Sequence, residues 1–162
     1  MGTSRPGRAD VWLRLAAALA PAFGEAHRAL IAARQTRGDH HGAVAHATMT
    51  AARFDTSAQA LIALGQACAA AYRTKEALWA FERALQFEER ADAAMAAGKL
   101  YRMLGDHATA GARFARAYAA GAGPEALREN ARSLRQAGDF LAAKEAIAMW
   151  EKETGQKWED AG

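Results

Sequence analysis

Histidine and cysteine are the side chains in this sequence best suited to metal or nucleophile chemistry. The sequence has a single cysteine, Cys68, and five histidines, which are His27, His40, His41, His46 and His107. His41 and His46 stand five residues apart, so they do not share a helix face as an i, i+4 ligand pair would. No acidic or cysteine residue stands at ligand spacing from them. We therefore expect no metal site.

Catalytic constellations are equally absent from the sequence. It contains no Ser-His-Asp pattern, no paired carboxylates and no glycine-rich phosphate loop. The one glycine-rich stretch, 121–124, reads as a junction between helices. Cys68 is expected to be a small buried hydrophobe rather than a nucleophile. The sequence predicts a protein that is not an enzyme and has no cofactor.

Arginines offer a different kind of chemistry. Arg128, Arg132 and Arg135 recur at spacings of four and three residues, so they share one face of a helix. Guanidinium forks match carboxylates geometrically, which makes an acidic peptide a natural ligand. The competing interpretation is a solvated helix face whose arginines form ion pairs with nearby acidic residues, and charge runs are usually of that kind. The candidate acidic partners are Glu125, Glu129 and Asp139.

Composition indicates an all-helical protein. The 162 residues include 46 alanines and only 3 prolines, and alanine is the best helix former. Arginine outnumbers lysine by 16 to 5, which together with the alanine content suggests a GC-rich bacterial source. A net charge of +3 is too small to argue for nucleic acid, whose binders concentrate a basic stripe. No apolar run approaches the roughly 18 residues of a membrane span.

The N-terminal segment allows two interpretations. Residues 1–8 are basic and precede an apolar stretch, 11–20, that loosely resembles a signal peptide. Arg14 interrupts this stretch, so we favour an amphipathic helix at about 9–20 and a cytoplasmic protein, with export as the minor alternative. The predicted apolar face of this helix comprises Trp12, Leu15, Ala16 and Leu19.

Internal repetition with a period of 33 residues is the strongest signal in the sequence. A small residue recurs at Gly65 and Gly98, and an Ala-x-x-x-Phe pattern follows each of them, ending at Phe81 and Phe114. A third copy, over 127–150, has Ile147 at the phenylalanine position. The small residues predict two helices in close approach, and the large ones are expected to fill the gap to the next unit.

The turns repeat as well. Gly105-Asp106-His107 matches Gly138-Asp139-Phe140, and Gly38-Asp39-His40 matches both. The glycines are expected at positive φ past a helix end, and the aspartates as caps of the next helix. His40 and His107 share one repeat position, so packing explains them better than metal binding. The predicted division is an N-terminal segment 1–22, a degenerate repeat 23–56, repeats 57–90, 91–123 and 124–153, and a tail 154–162.

These residues resemble the tetratricopeptide repeat (TPR) over about residues 24–153. The resemblance implies a right-handed superhelix of stacked antiparallel helix pairs, about four repeats with an N-terminal capping helix. This sequence departs from the family in its period of 33 and in Glu89, where the family often has proline. Because that junction lacks a helix breaker, one long helix through Glu89 is the alternative.

The resemblance also implies where a partner would bind, because first-helix side chains line the concave face of the fold. The residues it selects are Gln59, Gln66, Met95, Lys99, Arg102, Arg128, Arg132 and Arg135. The chaperone-tail clamp of the family needs asparagines where this sequence has Ala63 and either Ile31 or Ala32, so that clamp is not expected.

Three functional hypotheses follow from these observations. The first is a protein-interaction scaffold that holds a protein or peptide partner, expected to be acidic. The second is a small chaperone of a secretion or assembly system. Such chaperones usually dimerise through their N-terminal region. The third is a structural subunit of a larger complex, which the sequence cannot distinguish from a scaffold. Nucleic acid is not an expected partner.

Overall fold

The computed structural model describes residues 8–19 and 24–159. Within these ranges the chain forms helices joined by short turns, and no strand occurs. The helices are α1 Arg8–Leu19, α2 Glu25–Thr36, α3 His40–Arg53, α4 Ala58–Ala70, α5 Thr74–Phe87, α6 Ala91–Met103, α7 His107–Ala119, α8 Pro124–Gln136 and α9 Phe140–Thr154. The prediction of an all-α, TPR-like fold is confirmed.

The chain divides into two compact units, Met1–Phe87 and Glu88–Gly162. In the first unit α1 packs on α2, α2 on α3, α3 on α4 and α4 on α5. In the second unit α6 to α9 pack in the same consecutive manner. Consecutive helices within each unit therefore pack against each other, as expected for helical repeats.

Three of the turns have the predicted local chemistry. The glycine after each helix has φ between 75° and 82°, a left-handed conformation that glycine adopts without steric cost; these are Gly38, Gly105 and Gly138. The following aspartate accepts a hydrogen bond from a backbone N–H three residues later, at 2.8 to 3.1 Å; these are Asp39, Asp106 and Asp139. The α4–α5 turn differs, because its left-handed residue is an exposed tyrosine, Tyr72, with φ of 59°.

The close helix approach within each pair comes from a glycine facing a phenylalanine. A Cβ atom added to Gly65 would lie 2.7 Å from the Phe81 ring, and one added to Gly98 would lie 2.8 Å from the Phe114 ring. Both rings are fully buried. The sequence predicted that these rings fill the gap to the following unit. The structure shows each ring against the glycine of its own helix pair, because only a residue without Cβ leaves room for the ring. Packing of the rings onto the following unit stays a prediction.

A break separates α5 from α6, so the alternative of one continuous helix through Glu89 is wrong. Glu89 accepts hydrogen bonds from Arg116 of α7, one of them at 2.7 Å. Asp92, in the first turn of α6, accepts from the Arg90 side chain at 2.9 Å and from the Ala93 backbone N–H. Side-chain ion pairs thus hold the start of α6, where the repeat family often has proline.

The N-terminal helix exposes the apolar stripe identified in the sequence. Trp12 is 68% exposed and Leu19 is 75% exposed, and Leu15 and Ala16 are exposed as well. Among the described side chains of α1, the buried one is Ala17. The stripe was correctly placed on one side of a helix, but that side is turned away from the rest of the unit.

The residues after α9 fold back onto that helix. The ring of Trp158 packs edge-on against Trp150, with 5.5 Å between the ring centroids. Its backbone N–H donates to a carboxylate oxygen of Glu151 at 2.7 Å. Trp158 therefore packs against the last helix.

None of the helices, as far as the structure describes them, is long and apolar enough to span a bilayer.

Candidate functional site

Two of the predicted cationic residues, Arg102 of α6 and Arg132 of α8, meet at a buried carboxylate. Glu129, in the middle of α8, is 5% exposed and forms ion pairs with two arginines from different helices. Arg102, in the last turn of α6, reaches one carboxylate oxygen, and Arg132, one turn further along α8, donates to the other at 3.2 Å. The guanidinium of Arg102 also lies 5.7 Å from the centre of the Phe114 ring. The carboxylate thus ties α6 to α8.

We call the cations of these two helices the basic face, comprising Lys99, Arg102, Arg128, Arg132 and Arg135. Lys99 and Arg135 are exposed, whereas the other three are half-buried. The remaining residue predicted on α6, Met95, is also half-buried. The side chains of Lys99 and Arg128 make no ion pair or hydrogen bond within the described parts of the chain. The structure therefore brings Arg102 and Arg132 together and leaves Lys99 and Arg128 available.

Gln59 and Gln66 belong to α4 in the first unit, where both are exposed. The intervening residue Ile62, which falls on the same predicted face, is buried. This part of the predicted site therefore consists of two separate amides and does not form a continuous polar surface.

The structure matches the competing interpretation of the arginines in part, and partner binding by them stays a prediction. Glu129 forms the ion pairs that the solvated-face interpretation requires, but it is buried rather than solvated. A buried carboxylate needs paired cations, because desolvating an isolated charge is costly. Arg102 and Arg132 thus have a structural role, and the same geometry shows that their guanidinium groups can bind one carboxylate together.

The sequence analysis did not predict a groove in the second unit. This groove has a volume of about 480 Å³ and is lined by residues of α7, α8 and α9. Small and apolar side chains line most of it, among them Ala108, Ala112 and Ala115 of α7 and Ala146 and Met149 of α9. The four- and three-residue spacing of these alanines on α7 could have predicted a face of small residues there.

The first unit contains a histidine pair that sequence analysis also missed. His27 of α2 and His46 of α3 are buried, and their Nδ1 and Nε2 atoms are 3.3 Å apart, so one ring donates a hydrogen bond to the other. Burial, followed by the neighbouring His27, Arg34 and Arg14, lowers the pKa of His46 to about 4. Burial and Arg53 lower the pKa of His27. Both rings are therefore neutral at pH 7.

The pair lies 19 residues apart, which no single-helix spacing rule could detect. His40 and His107, which were assigned to packing, are exposed and half-buried respectively. The expectation that His40 is a packing residue is therefore wrong. His40 is exposed because it starts α3 directly after the capping Asp39 and points away from the core. Across residues 8–19 and 24–159, no three His, Cys, Asp or Glu side chains converge as metal ligands.

Cys68 is buried, and burial raises the pKa of its thiol. A raised thiol pKa disfavours the thiolate that acts as a nucleophile. Its position in α4 therefore fits a structural side chain.

No protein-family model matches this sequence, and no curated protein is similar to it in sequence. Solved structures are similar in fold. MamA matches with a TM-score of 0.74 at 19% identity, over 91% of this chain and 86% of MamA. TTC0263, a thermophilic TPR protein in Thermus thermophilus, matches with a TM-score of 0.65 at 21% identity, over 93% and 85% of the two chains. YrrB, described as a TPR protein with an unusual peptide-binding site, matches with a TM-score of 0.72 at 17% identity, over 91% and 76%.

Proposed function

Because the chain has the TPR fold, we propose that it is a non-enzymatic scaffold that holds an acidic segment of a partner protein on its basic face. TPR neighbours support protein or peptide binding in general terms. The observation that carries the acidic preference is the Glu129 carboxylate, which Arg102 and Arg132 bind from two helices. An incoming carboxylate would find the same guanidinium groups close by, together with Lys99 and Arg128.

Charge balance supports the choice of partner. Of the cations of the basic face, Arg102 and Arg132 share the single charge of Glu129, whereas Lys99 and Arg128 pair with no acidic side chain in the described parts of the chain. Exposed ion pairs contribute little individually, so an acidic segment would have to engage several cations at once. Binding of this kind weakens as salt rises, because exposed charges are screened within roughly 10 Å at 0.1 M ionic strength.

The test compares two double variants of the second unit. Lys99→Gln with Arg128→Gln should weaken binding of a fluorescein-labelled deca-glutamate peptide about five-fold at low salt, since each lost exposed pair contributes at most about 1 kcal/mol. The matched control, Lys144→Gln with Lys152→Gln, removes the same charge from α9, where both lysines are exposed. Fluorescence anisotropy at several salt concentrations measures both. Equal affinities of the two double variants, or no binding by the unmodified protein, would contradict the proposal.

The N-terminal helix favours a second candidate, the small chaperone that dimerises. Its exposed apolar stripe of Val11, Trp12, Leu15 and Leu19 is the kind of surface that a second copy covers. Trp12→Glu with Leu19→Glu should convert a dimer of about twice 17.3 kDa into a monomer, as measured by light scattering after size exclusion. A monomeric unmodified protein at micromolar concentration would remove support for this candidate.

A structural subunit of a larger complex would use the same two surfaces, the basic face and the exposed stripe of α1, to bind fixed partners.

The buried, unpaired Cys68 accords with action in the reducing cytoplasm, which we propose as the compartment.

A further inference from the structure

A cavity of about 270 Å³ lies in the first unit between α1, α2 and α3. Arginines from all three helices line it, namely Arg14, Arg34 and Arg53, and the His27–His46 pair lies on its wall. Among the described residues that line the cavity, none is acidic. Arginine side chains at a half-enclosed space favour an anion there, because low-polarity walls strengthen its attraction to the positive charge.

The remainder of the lining is apolar. Ala17 of α1, Leu30 of α2 and Met49 of α3 contribute to it. The cavity therefore combines cationic groups with an apolar surface, which is the usual arrangement of a small-molecule site. The Nε of Arg34 is buried and has no hydrogen-bond acceptor among the described residues, while its Nη1 donates to the Gly42 carbonyl at 2.7 Å. One arginine is thus already held in place and retains an unused donor.

We propose that this cavity binds a small organic carboxylate whose apolar body lies against Ala17, Leu30 and Met49. A cavity of about 150 Å³ accommodates benzene, so this one has room for roughly eleven non-hydrogen atoms. A metal ion is the poorer occupant, because the two histidines are surrounded by cations and have no carboxylate partner among the described lining residues. The site lies in the first unit and does not depend on the basic face of the second.

Octanoate, with about ten non-hydrogen atoms, is a suitable probe for a cavity of this size. Isothermal titration of octanoate into the full chain at pH 7.5 and low salt should give a dissociation constant on the order of 0.1–1 mM, as expected for a ligand of this size. Two further titrations separate the parts of the ligand. Octanol keeps the apolar body without the charge, and inorganic phosphate keeps the charge without the body. Each should bind at least about ten-fold more weakly.

Arg14→Gln tests the cationic lining with little risk to folding, since Arg14 is exposed on α1. It should weaken octanoate binding about five-fold, as expected for loss of one partly screened charge. The matched control is Arg28→Gln, an exposed arginine of α2 that does not line the cavity and should leave binding unchanged.

A second readout keeps the test independent of the variants. The charged and titratable groups that act on His46 are Arg14 from α1 and His27 and Arg34 from α2, and Arg53 of α3 lines the same cavity. A bound carboxylate adds a negative charge to this cationic set and should raise the pKa of His46, measured by following its imidazole resonances by NMR during a pH titration. Octanol should not do so.

Three results would overturn the proposal. They are the absence of octanoate binding, octanol binding as tightly as octanoate, and octanoate binding without any change in the titration of His46. The last would place the ligand elsewhere, for example on the exposed stripe of α1.

Discussion

Replacing Gly98 with valine should lower the free energy of unfolding by about 2–3 kcal/mol, because overpacking a tight core typically costs roughly 1–3 kcal/mol and outweighs the few tenths that valine gains over glycine in helix propensity. Gly98 lies in the middle of α6, where even a single added carbon would lie 2.8 Å from the Phe114 ring. Phe114 is completely buried, so the ring cannot move aside into solvent. The two helices would have to separate or the ring would have to leave its rotamer.

Urea unfolding followed by circular dichroism measures this loss. The control is Ala148→Val, which places the same β-branched residue on an exposed position of α9 and should cost only about 0.6 kcal/mol. Adding Phe114→Leu to Gly98→Val should cost less than Phe114→Leu costs alone, because the smaller side chain relieves the clash. If Gly98→Val unfolds at the unmodified protein's midpoint, α6 and α7 do not approach as closely as described.

Acid should destabilise the first unit between about pH 6.5 and pH 4. The pKa of His46 is about 4 in the folded protein, below the value of 6.5 for an unperturbed histidine. The unfolded chain therefore binds a proton more readily than the folded one in this range, and falling pH favours unfolding. Above about pH 6.5 the ring is neutral in both states, and stability is at its maximum with respect to this group. The loss between pH 7 and pH 4.5 should be about 2–3 kcal/mol, since one pKa unit corresponds to about 1.36 kcal/mol.

The His46→Gln variant should show a much flatter dependence of stability on pH over this window. His40→Gln is the matched control, because it removes an imidazole from the exposed start of the same helix. Carboxylates with lowered pKa values, such as Glu89 and Asp106, also lose stabilisation as pH falls toward the ordinary carboxyl pKa, but they do so in the variant and the unmodified protein alike and cancel from the comparison. Identical pH profiles for His46→Gln and the unmodified protein would contradict the assigned burial.

Local features of the fold were predictable because they depend on neighbours in sequence. A glycine at the end of a helix followed by aspartate specifies both the left-handed residue and the next cap, and the structure shows this at Gly105-Asp106 and Gly138-Asp139. The 33-residue period likewise identified Gly65 and Gly98 as sites of close approach.

The wrong or missing predictions concern whether a helix face is covered by neighbouring helices. Periodicity finds the apolar stripe of α1 but does not reveal whether its neighbours cover it, and Trp12 and Leu19 are exposed. Periodicity likewise does not reveal that Glu129 is buried and pairs with Arg102 of another helix. The His27–His46 contact depends on how α2 and α3 pack against each other, which spacing within one helix does not reveal.

Glu129 has a consequence for how selective the basic face would be. Its carboxylate is an intramolecular competitor that already occupies Arg102 and Arg132, at an effective concentration no dilute anion can match. Isolated acidic side chains on passing proteins would therefore be excluded from these two arginines. Only a segment that presents several carboxylates, with some reaching Lys99 and Arg128 first, would displace it. A buried ion pair would in this way set a threshold for binding.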